Sequence, residues 1–331
     1  MKNYKAKTLL VTGGAGFIGS NFVRHMLRKY DDIRIINYDK LTYAGSLKNL
    51  EELPNSNYHH FIQGDICDTA QLSKILRQYN IDTVVHFAAE SHVDRSIENP
   101  TDFIQTNVVG TLILLEAAKQ FWLAEKKWGT NECRFHHIST DEVFGSLGPN
   151  DPAFNEQSAY KPNSPYSASK ASSDHLVRAF FHTYGLPVTL SHCSNNYGPY
   201  QHAEKFIPTV IKACKEWKTI PLYGDGSNIR DWLHVEDHCH AIELILQRGT
   251  LGESYTIGGN NELSNAEVVN GICDLMDELN PKGESHRSLI NFVEDRAGHD
   301  WRYAINNHKI STELNWEAKI PFLTGTKQLI I

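Results

Sequence analysis

Up to Cys193, short two-sided apolar runs alternate with longer stretches whose apolar positions recur at helical spacing. The runs Thr8–Thr12, Ile33–Tyr38, His60–Ile62, Thr83–Phe87, Arg134–Ile138 and Pro187–Cys193 carry the pattern of strands buried on both faces of a parallel sheet. Between them the spacing predicts a helix through about Lys29, one from about Thr69, and a long one from Asn107 to about Lys119 with Val108, Leu112, Leu115 and Ala118 apolar. A further helix carries Tyr166 and runs towards Tyr184. Strand and helix in alternation predict an α/β fold with a doubly wound parallel sheet of the Rossmann type. Beyond it, Trp232–Val235 reads as a strand returning to that sheet, and Glu236 or Asp237 starts a helix through about Leu246. The expected division is a Rossmann-type domain over 1–196 with a return segment near 230–258, and a smaller C-terminal domain from 197–229 and 259–331.

Glycine changes the reading of the first turn. Thr8–Thr12 runs directly into Gly13-Gly14-Ala15-Gly16-Phe17-Ile18-Gly19, and then into a helix. Glycines at 13, 16 and 19 permit a tight turn and a close backbone approach to a pyrophosphate, which sits at the helix N-terminus. The second strand ends at Asp39, twenty residues after Gly19. A carboxylate there accepts the ribose hydroxyls of an adenosine and repels a 2′-phosphate, so NAD is preferred over NADP. Lys40, directly after it, weighs a little the other way. Asp65, after the third strand, suits either an adenine-edge contact or a cap on the helix from Thr69.

The stretch Ile138-Ser139-Thr140-Asp141-Glu142-Val143-Phe144-Gly145 carries candidate chemistry. A hydrophobic run ends where a buried strand meets solvent, and a hydroxyl is followed by two carboxylates. Strand carboxyl ends are where ligands sit in open α/β sheets. Adjacent acids there supply a proton donor and a proton acceptor if their environments push their pKa values apart; otherwise they cap a solvated turn. Tyr166-Ser167-Ala168-Ser169-Lys170 follows a proline-rich loop, and residues four apart share a helix face. A phenol titrating near ~10 is a poor base at neutral pH, and a neighbouring ammonium is expected to lower it.

Composition narrows the class without changing the fold. The 331 residues carry a net charge of −7 and no long basic run, which argues against a general nucleic-acid surface. Six cysteines are scattered without CxxC pairing, as suits reduced thiols. Met1–Lys7 lacks the apolar segment of a signal peptide, no run approaches the ~20 residues that span a bilayer, and a cytoplasmic protein is expected. His234 and His238 superficially offer metal ligands, but fall on different predicted elements, so no metal is expected.

The segments GGAGFIGS, YDKLTYAG, GDICD, FAAESHVDRS, STDEVFG, YSASK, SNNYGP, PLYGDG, IRDWLHVEDH and DRAGHD together resemble the dTDP-glucose 4,6-dehydratase family of extended short-chain dehydrogenase/reductases. The resemblance spans Thr8 to about Tyr303, and its most discriminating piece is Thr140-Asp141-Glu142, since related 4-epimerases lack the acid pair. It implies an NAD-dependent hydro-lyase of deoxysugar biosynthesis, of the dTDP-rhamnose type, that yields a 4-keto-6-deoxy sugar nucleotide. The implied roles are Tyr166 with Lys170 as the base at O4, Thr140 as its hydrogen-bond partner, Glu142 as the base at C5 and protonated Asp141 as the acid at C6. The implied cofactor contacts are Gly13, Gly16, Phe17, Ile18, Gly19, Asp39, Lys40, Leu41, Thr42, Asp65, Ile66, Phe87, Ala88, Ala89, Ser91, Thr106, Tyr166, Lys170 and Asn196. The implied substrate contacts are Ser91, Thr140, Asn195, Lys205, Phe206, Pro221, Tyr223, Arg230, Asn265, Arg296, His299 and Tyr303, with the two arginines suited to a diphosphate. The implied assembly is a homodimer through the helices near Asn107–Lys119 and Tyr166–Tyr184.

Departures are mild. Phe206 stands where leucine is usual, Phe87 replaces a common leucine, and Ala297 stands where proline is usual. Relatives usually continue past Ile331 into a longer final helix, so the apolar end is expected either exposed or packed on a partner. An epimerase or dehydratase of another nucleotide sugar, UDP- or CDP-linked glucose as substrate, and a non-catalytic dinucleotide sensor remain as alternatives.

Overall fold

The computed structural model describes residues 3–295 and 300–331, so the expectations for Arg296 and His299 lie outside the described residues. Twelve strands are found among the described residues: β1 (Thr8–Thr12), β2 (Arg34–Asp39), β3 (His59–Gln63), β4 (Thr83–His86), β5 (Arg134–Thr140), β6 (Val188–Cys193), β7 (Asn195–Tyr197), β8 (Ile220–Tyr223), β9 (Ile229–His234), β10 (Ser254–Ile257), β11 (Glu262–Ser264) and β12 (Ile290–Val293). Seven of them form a parallel sheet in the order β10-β6-β5-β4-β1-β2-β3. The helices are α1 (Phe17–Lys29), α2 (Thr69–Gln78), α3 (Val93–Glu98), α4 (Pro100–Phe103), α5 (Thr111–Lys119), α6 (Pro165–Tyr184), α7 (Phe206–Glu216), α8 (Val235–Arg248), α9 (Asn265–Leu279), α10 (His308–Leu314) and α11 (Phe322–Ile330).

The sheet is covered on both faces, which is why its strands read as two-sided apolar runs. On one face Leu72, Ile75 and Leu76 of α2, Leu114 and Leu115 of α5, and Val177 and Phe180 of α6 pack over Leu10, Ile36, Val84 and Phe135. On the other, Phe22, Val23 and Met26 of α1 meet Val235, Cys239 and Ile242 of α8 over Leu9, Val11 and Ile35. Each such aliphatic side chain contributes about 1.5–3 kcal/mol on burial.

Two predicted elements differ. The strand around Trp232 does not return to the main sheet. As β9 it pairs parallel with β7 and antiparallel with β11 in a separate three-stranded sheet, and the return is made by α8 and then β10, which pairs with β6. Apolar pattern alone does not tell which sheet buries a strand. The helix predicted from Asn107 begins earlier, at Pro100, and passes through a wide turn at Ile104–Gly110 before α5. The wide turn buries Asn107, whose amide donates to Glu90 O (3.0 Å) and Ser169 Oγ (2.8 Å), a polar role that amphipathic counting does not anticipate.

A second core of α7, α9, α11 and β8 holds Ile207, Val210, Leu222, Val268, Ile272 and Phe322. The chain end is both packed and exposed: Phe322 and Ile330 are buried in this core, whereas Ile331 is 89% exposed. A third core ties α10 to α8 and β10 around Trp316, which is fully buried and donates from Nε1 to Asp237 O at 3.1 Å. Trp316→Ala should cost about 3–5 kcal/mol of stability, seen as a lower urea midpoint with an unchanged slope; an unchanged midpoint would mean the segment folds without this anchor.

Candidate active site

One cavity of about 330 Å³ runs along the carboxyl ends of β1, β2, β4, β5 and β6. Its floor is the β1–α1 turn. Gly13 has φ +71, and a Cβ there would lie 2.6 Å from Ala88 N, so the turn packs directly on the end of β4. A Cβ on Gly19 would meet Gly13 O at 2.3 Å. Gly16 is the N-cap of α1, with no side-chain cap and no acid in the first turn, so the positive helix end faces the cavity undiluted.

Asp39 closes one end. Its Oδ2 accepts from Ala15 N (2.9 Å) and Oδ1 from Leu41 N (2.8 Å). Burial raises its pKa above the usual carboxylate range while these two bonds pull the other way. Each oxygen keeps a further acceptor site for a hydroxyl. Leu41 itself does not line the cavity; its amide serves Asp39 instead. Lys40 is tied to Asp65, Nζ to Oδ2 at 2.8 Å, which occupies the cation that weighed towards a 2′-phosphate. Asp65 is not the cap of α2: Asp68 is, accepting from Gln71 N at 2.9 Å, while Asp65 accepts from Cys67 N and lines the cavity.

At the other end β5 delivers Thr140, and the chain turns through a short 3₁₀ segment, Asp141–Phe144, with the Thr140 hydroxyl capping Glu142 N at 3.3 Å. Gly145 lets the chain leave with φ +91, where a Cβ would meet Lys161 O at 2.5 Å. Below the turn Val143, Phe144, Phe154 and Tyr303 pack together. A Ser164–Ser167 capping box with Pro165 starts α6 and places Tyr166 and Lys170 on the cavity wall.

The electrostatics separate the acids. Burial first, then the neighbouring Glu142 and Asp231, raise Asp141 well above the carboxylate range; its Oδ2 is buried without a hydrogen-bond partner. Glu142 is pushed up to about 7 by burial, with Arg230 and Lys205 pulling it down. The tyrosine does not behave as its neighbour suggested. Burial and Glu142 raise the Tyr166 phenol, a hydrogen bond with Thr140 opposes them, and Lys170 turns away to donate to Ile138 O at 2.7 Å. Burial pushes Lys170 down to about 8.

Of the expected contacts, Gly13, Gly16, Phe17, Ile18, Gly19, Asp39, Lys40, Thr42, Asp65, Ile66, Phe87, Ala88, Ala89, Ser91, Thr106, Thr140, Asp141, Glu142, Tyr166, Lys170, Asn195, Asn196 and Lys205 line this one cavity. Phe206, Pro221, Tyr223, Arg230, Asn265 and Tyr303 do not. Phe206 stacks on Trp232, and Pro221 is exposed on β8. Asn265 opens α9 with its amide on Asn228 O. Arg230 lies over the Tyr303 ring at 4.5 Å and donates to Ile229 O and Asp300 O, and Tyr303 donates to the Asp300 carboxylate. No group of three or more metal-ligating side chains is found among the described residues.

The chain matches the profile of the family described as GDP-mannose 4,6 dehydratase over residues 10–329. It is 53% identical over 330 residues to a dTDP-glucose 4,6-dehydratase of Salmonella typhimurium, covering 97% of this chain and 91% of that one. The chain belongs to the dTDP-glucose 4,6-dehydratase family. Among solved dTDP-glucose 4,6-dehydratases, the Bacillus anthracis protein in complex with NAD is similar with a TM-score of 0.87, 45% identity and coverage of 98% of this chain and 96% of that one. The Streptomyces venezuelae protein, also with NAD bound, gives a TM-score of 0.88, 44% identity and coverage of 98% and 95%.

Sequence reasoning for this dTDP-glucose 4,6-dehydratase family member missed several lining residues, among them Glu90, Cys193 and Gln201. Cys193 ends a strand already assigned, so its place at a strand carboxyl end was legible, although its pairing with Thr140 was not; Gln201 sits in an irregular segment and carried no signal. The raised Glu142 has a stability consequence. An acid whose folded pKa exceeds its unfolded value binds its proton more tightly in the fold, so stability falls as pH rises from the ordinary 4.5 through about 7 and levels off above. Glu142→Gln lacks this loss. Its melting temperature should gain on that of the parent between those values; a difference flat with pH would show that the carboxyl titrates as in water.

Proposed function

We propose that this chain is a dTDP-glucose 4,6-dehydratase that converts dTDP-glucose to dTDP-4-keto-6-deoxyglucose by oxidation at C4, loss of water across C5 and C6, and reduction at C6. One observation carries the reading: two adjacent carboxyls of different proton affinity share a cavity with Tyr166 and a glycine turn fit for a dinucleotide. Simple epimerisation has no use for the acid pair, and a dinucleotide sensor has none for Tyr166 and Lys170.

The residues fit NAD. The Gly13–Gly19 turn and the uncapped start of α1 would hold the pyrophosphate, and the free acceptor sites of Asp39 the adenosine ribose. Asn195 Oδ1 and Gln201 Oε1, buried without partners at the cavity wall, await donors from a bound molecule. When bound, NAD supplies a cationic acceptor that takes an electron pair from C4 and returns it to C6, with no net consumption.

The chain's own groups move the protons. Tyr166 rests as a neutral phenol and becomes a base when it loses that proton to water, a loss that positive charge brought to it favours, with Lys170 as the resident cation. Its Oη takes the O4 proton while the Thr140 hydroxyl orients O4. The ketone then acidifies C5, and Glu142, poised at about 7, removes that proton. Asp141, protonated because burial and Glu142 disfavour its charge, gives a proton to the departing C6 hydroxyl. Glu142 returns its proton to C5 as C6 is reduced. Lys205 on the cavity wall and Arg230 outside it both favour the charged form of Glu142, and cations of this kind read a diphosphate. Residues 1–196 with α8 and β10 serve as the cofactor domain and the remainder as the sugar-nucleotide domain. A cytoplasmic homodimer is part of the same reading, with exposed Ile104, Leu112 and Tyr184 on the helical face offered to a second copy.

dTDP-glucose, UDP-glucose and CDP-glucose deuterated at C4 test the function by product mass and NMR. Loss of one water from the dTDP sugar with the label moved to C6 is expected; an isomer of the substrate with no water lost would overturn it in favour of epimerisation. Asp141→Asn separates the steps. It should keep C4 oxidation, read as absorbance of reduced cofactor on the protein, and slow elimination by about 10²–10⁴-fold; water loss at the parental rate would sink the role given to Asp141.

A further inference from the structure

Behind the reactive edge lies a carboxylate that no step above uses. Asp174 is fully buried on α6, four residues after Lys170 and eight after Tyr166, so the three side chains form one column on a helix face. Its Oδ2 accepts from Ser139 Oγ at 2.8 Å and from Tyr160 Oη at 3.2 Å, and lies 3.0 Å from His192 Nε2. Its Oδ1 lies 3.3 Å from His137 Nε2, and the same nitrogen is 3.4 Å from Lys170 Nζ. Ser139 and His137 are neighbours on β5 of the Ile138 carbonyl that receives the lysine.

A buried ammonium reverts to the amine unless an opposite charge stands near. The titratable groups that act on Lys170 are His86 from β4, His137 from β5, Cys193 from β6 and Asp174 on its own helix, and Tyr166, Asp141 and Glu142 line the same cavity. His137 is held neutral by burial, at about 4, and the Cys193 thiol is pushed up to about 12 by burial. Asp141 and Glu142 trade protons in the reaction and cannot be constant anions. Burial alone would raise Asp174, but the neighbouring His137 and His192 outweigh it and hold the carboxyl well below the usual range.

We propose that Asp174 is the counter-charge of Lys170: its buried carboxylate keeps the ammonium charged and so held on the Ile138 carbonyl at the end of β5, which makes Asp174 a positioning residue for the Tyr166–Lys170 pair. The proposal deepens the reading of Lys170 given above and rests on it for its catalytic consequence alone. Burial already brings Lys170 down to about 8, with Asp174 pulling it up, so losing the carboxylate takes the lysine lower still. The amine would then form within the working range, and the basic limb of the pH profile would move towards acid.

The test reads the lysine directly. Full-length protein carrying ¹³C-lysine is titrated by NMR, with Lys170→Arg identifying the resonance, and compared with Asp174→Asn. The Lys170 titration should fall by at least about one pH unit in Asp174→Asn, kcat at neutral pH should fall more than about tenfold, and KM should change little. Ser139→Ala removes a donor but leaves the carboxylate charge, and should leave the Lys170 titration in place. An unmoved Lys170 in folded Asp174→Asn overturns the proposal, as does an equal shift in Ser139→Ala. If Asp174→Asn does not fold, Lys170→Met/Asp174→Asn should regain stability over it, because both charges are gone; a double variant no more stable overturns the proposal too. The titration needs no turnover, so a shifted Lys170 in a protein inactive on dTDP-glucose would refute the substrate assignment and leave the counter-charge standing.

Discussion

The site depends on keeping two adjacent carboxyls out of water at the end of β5 without letting both ionise. Desolvation penalises each charge, and each charge penalises the other. Arg230 and Lys205 relieve Glu142, whereas Glu142 and Asp231 push Asp141 up ahead of the relief from Arg230, and the protons divide unequally as a result. Much of the surrounding architecture holds that division in place. The turn bearing the acids is capped by Thr140, packed from below by Phe144, Phe154 and Tyr303, and released by Gly145 into the loop that returns to start α6. The same excursion therefore sets the acids and delivers Tyr166 opposite them.

The sheet beneath is more polar than its hydropathy implies. His86 joins Thr12 and Thr111, and His136 joins Thr189 and Ser191, each imidazole spanning two hydroxyls at 2.7–3.1 Å. Burial keeps both rings neutral, so they act as hydrogen-bonded spacers, His86 between β1 and α5 and His136 along β6, rather than as charges. The charged groups nearest the reactive edge lie along one face of α6 and at the acid turn, while other buried charges, such as Glu243 on α8 beside His25 and Lys29, are paired away from it.

What was legible in the sequence follows from range. Six of the seven strands of the main sheet, the glycine turn, Asp39 and the spacing of Tyr166 and Lys170 are local patterns with local causes, and they stand where expected, whereas β10 was not foreseen. Partners set by packing were not legible. That β9 leaves the main sheet, that Asp68 and not Asp65 caps α2, and that the Arg230 guanidinium faces the carbonyls of Ile229 and Asp300 all depend on neighbours far away in the chain. The tyrosine is the clearest case. A lysine four residues on predicts a lowered phenol, but the i,i+4 relation fixes only the helix face; the direction in which Nζ turns is decided by the Ile138 carbonyl on another element.

Enclosure joins these features. Beside the cavity Tyr43 lies under the Arg95 guanidinium at 3.7 Å and edge-on to His202 at 5.9 Å, while Arg95 reaches Glu204 at 3.6 Å. These contacts link the loop after β2, helix α3 and the loop after β7, which flank the cavity. A reaction that reduces at C6 what it oxidised at C4 must keep its cofactor throughout, and a cavity flanked in this way suits that need. The same exclusion of water raises Asp141 and Glu142, since a wet edge would return both to the ordinary carboxylate range. Retaining the cofactor and tuning the acids are thus one physical requirement met by one set of walls.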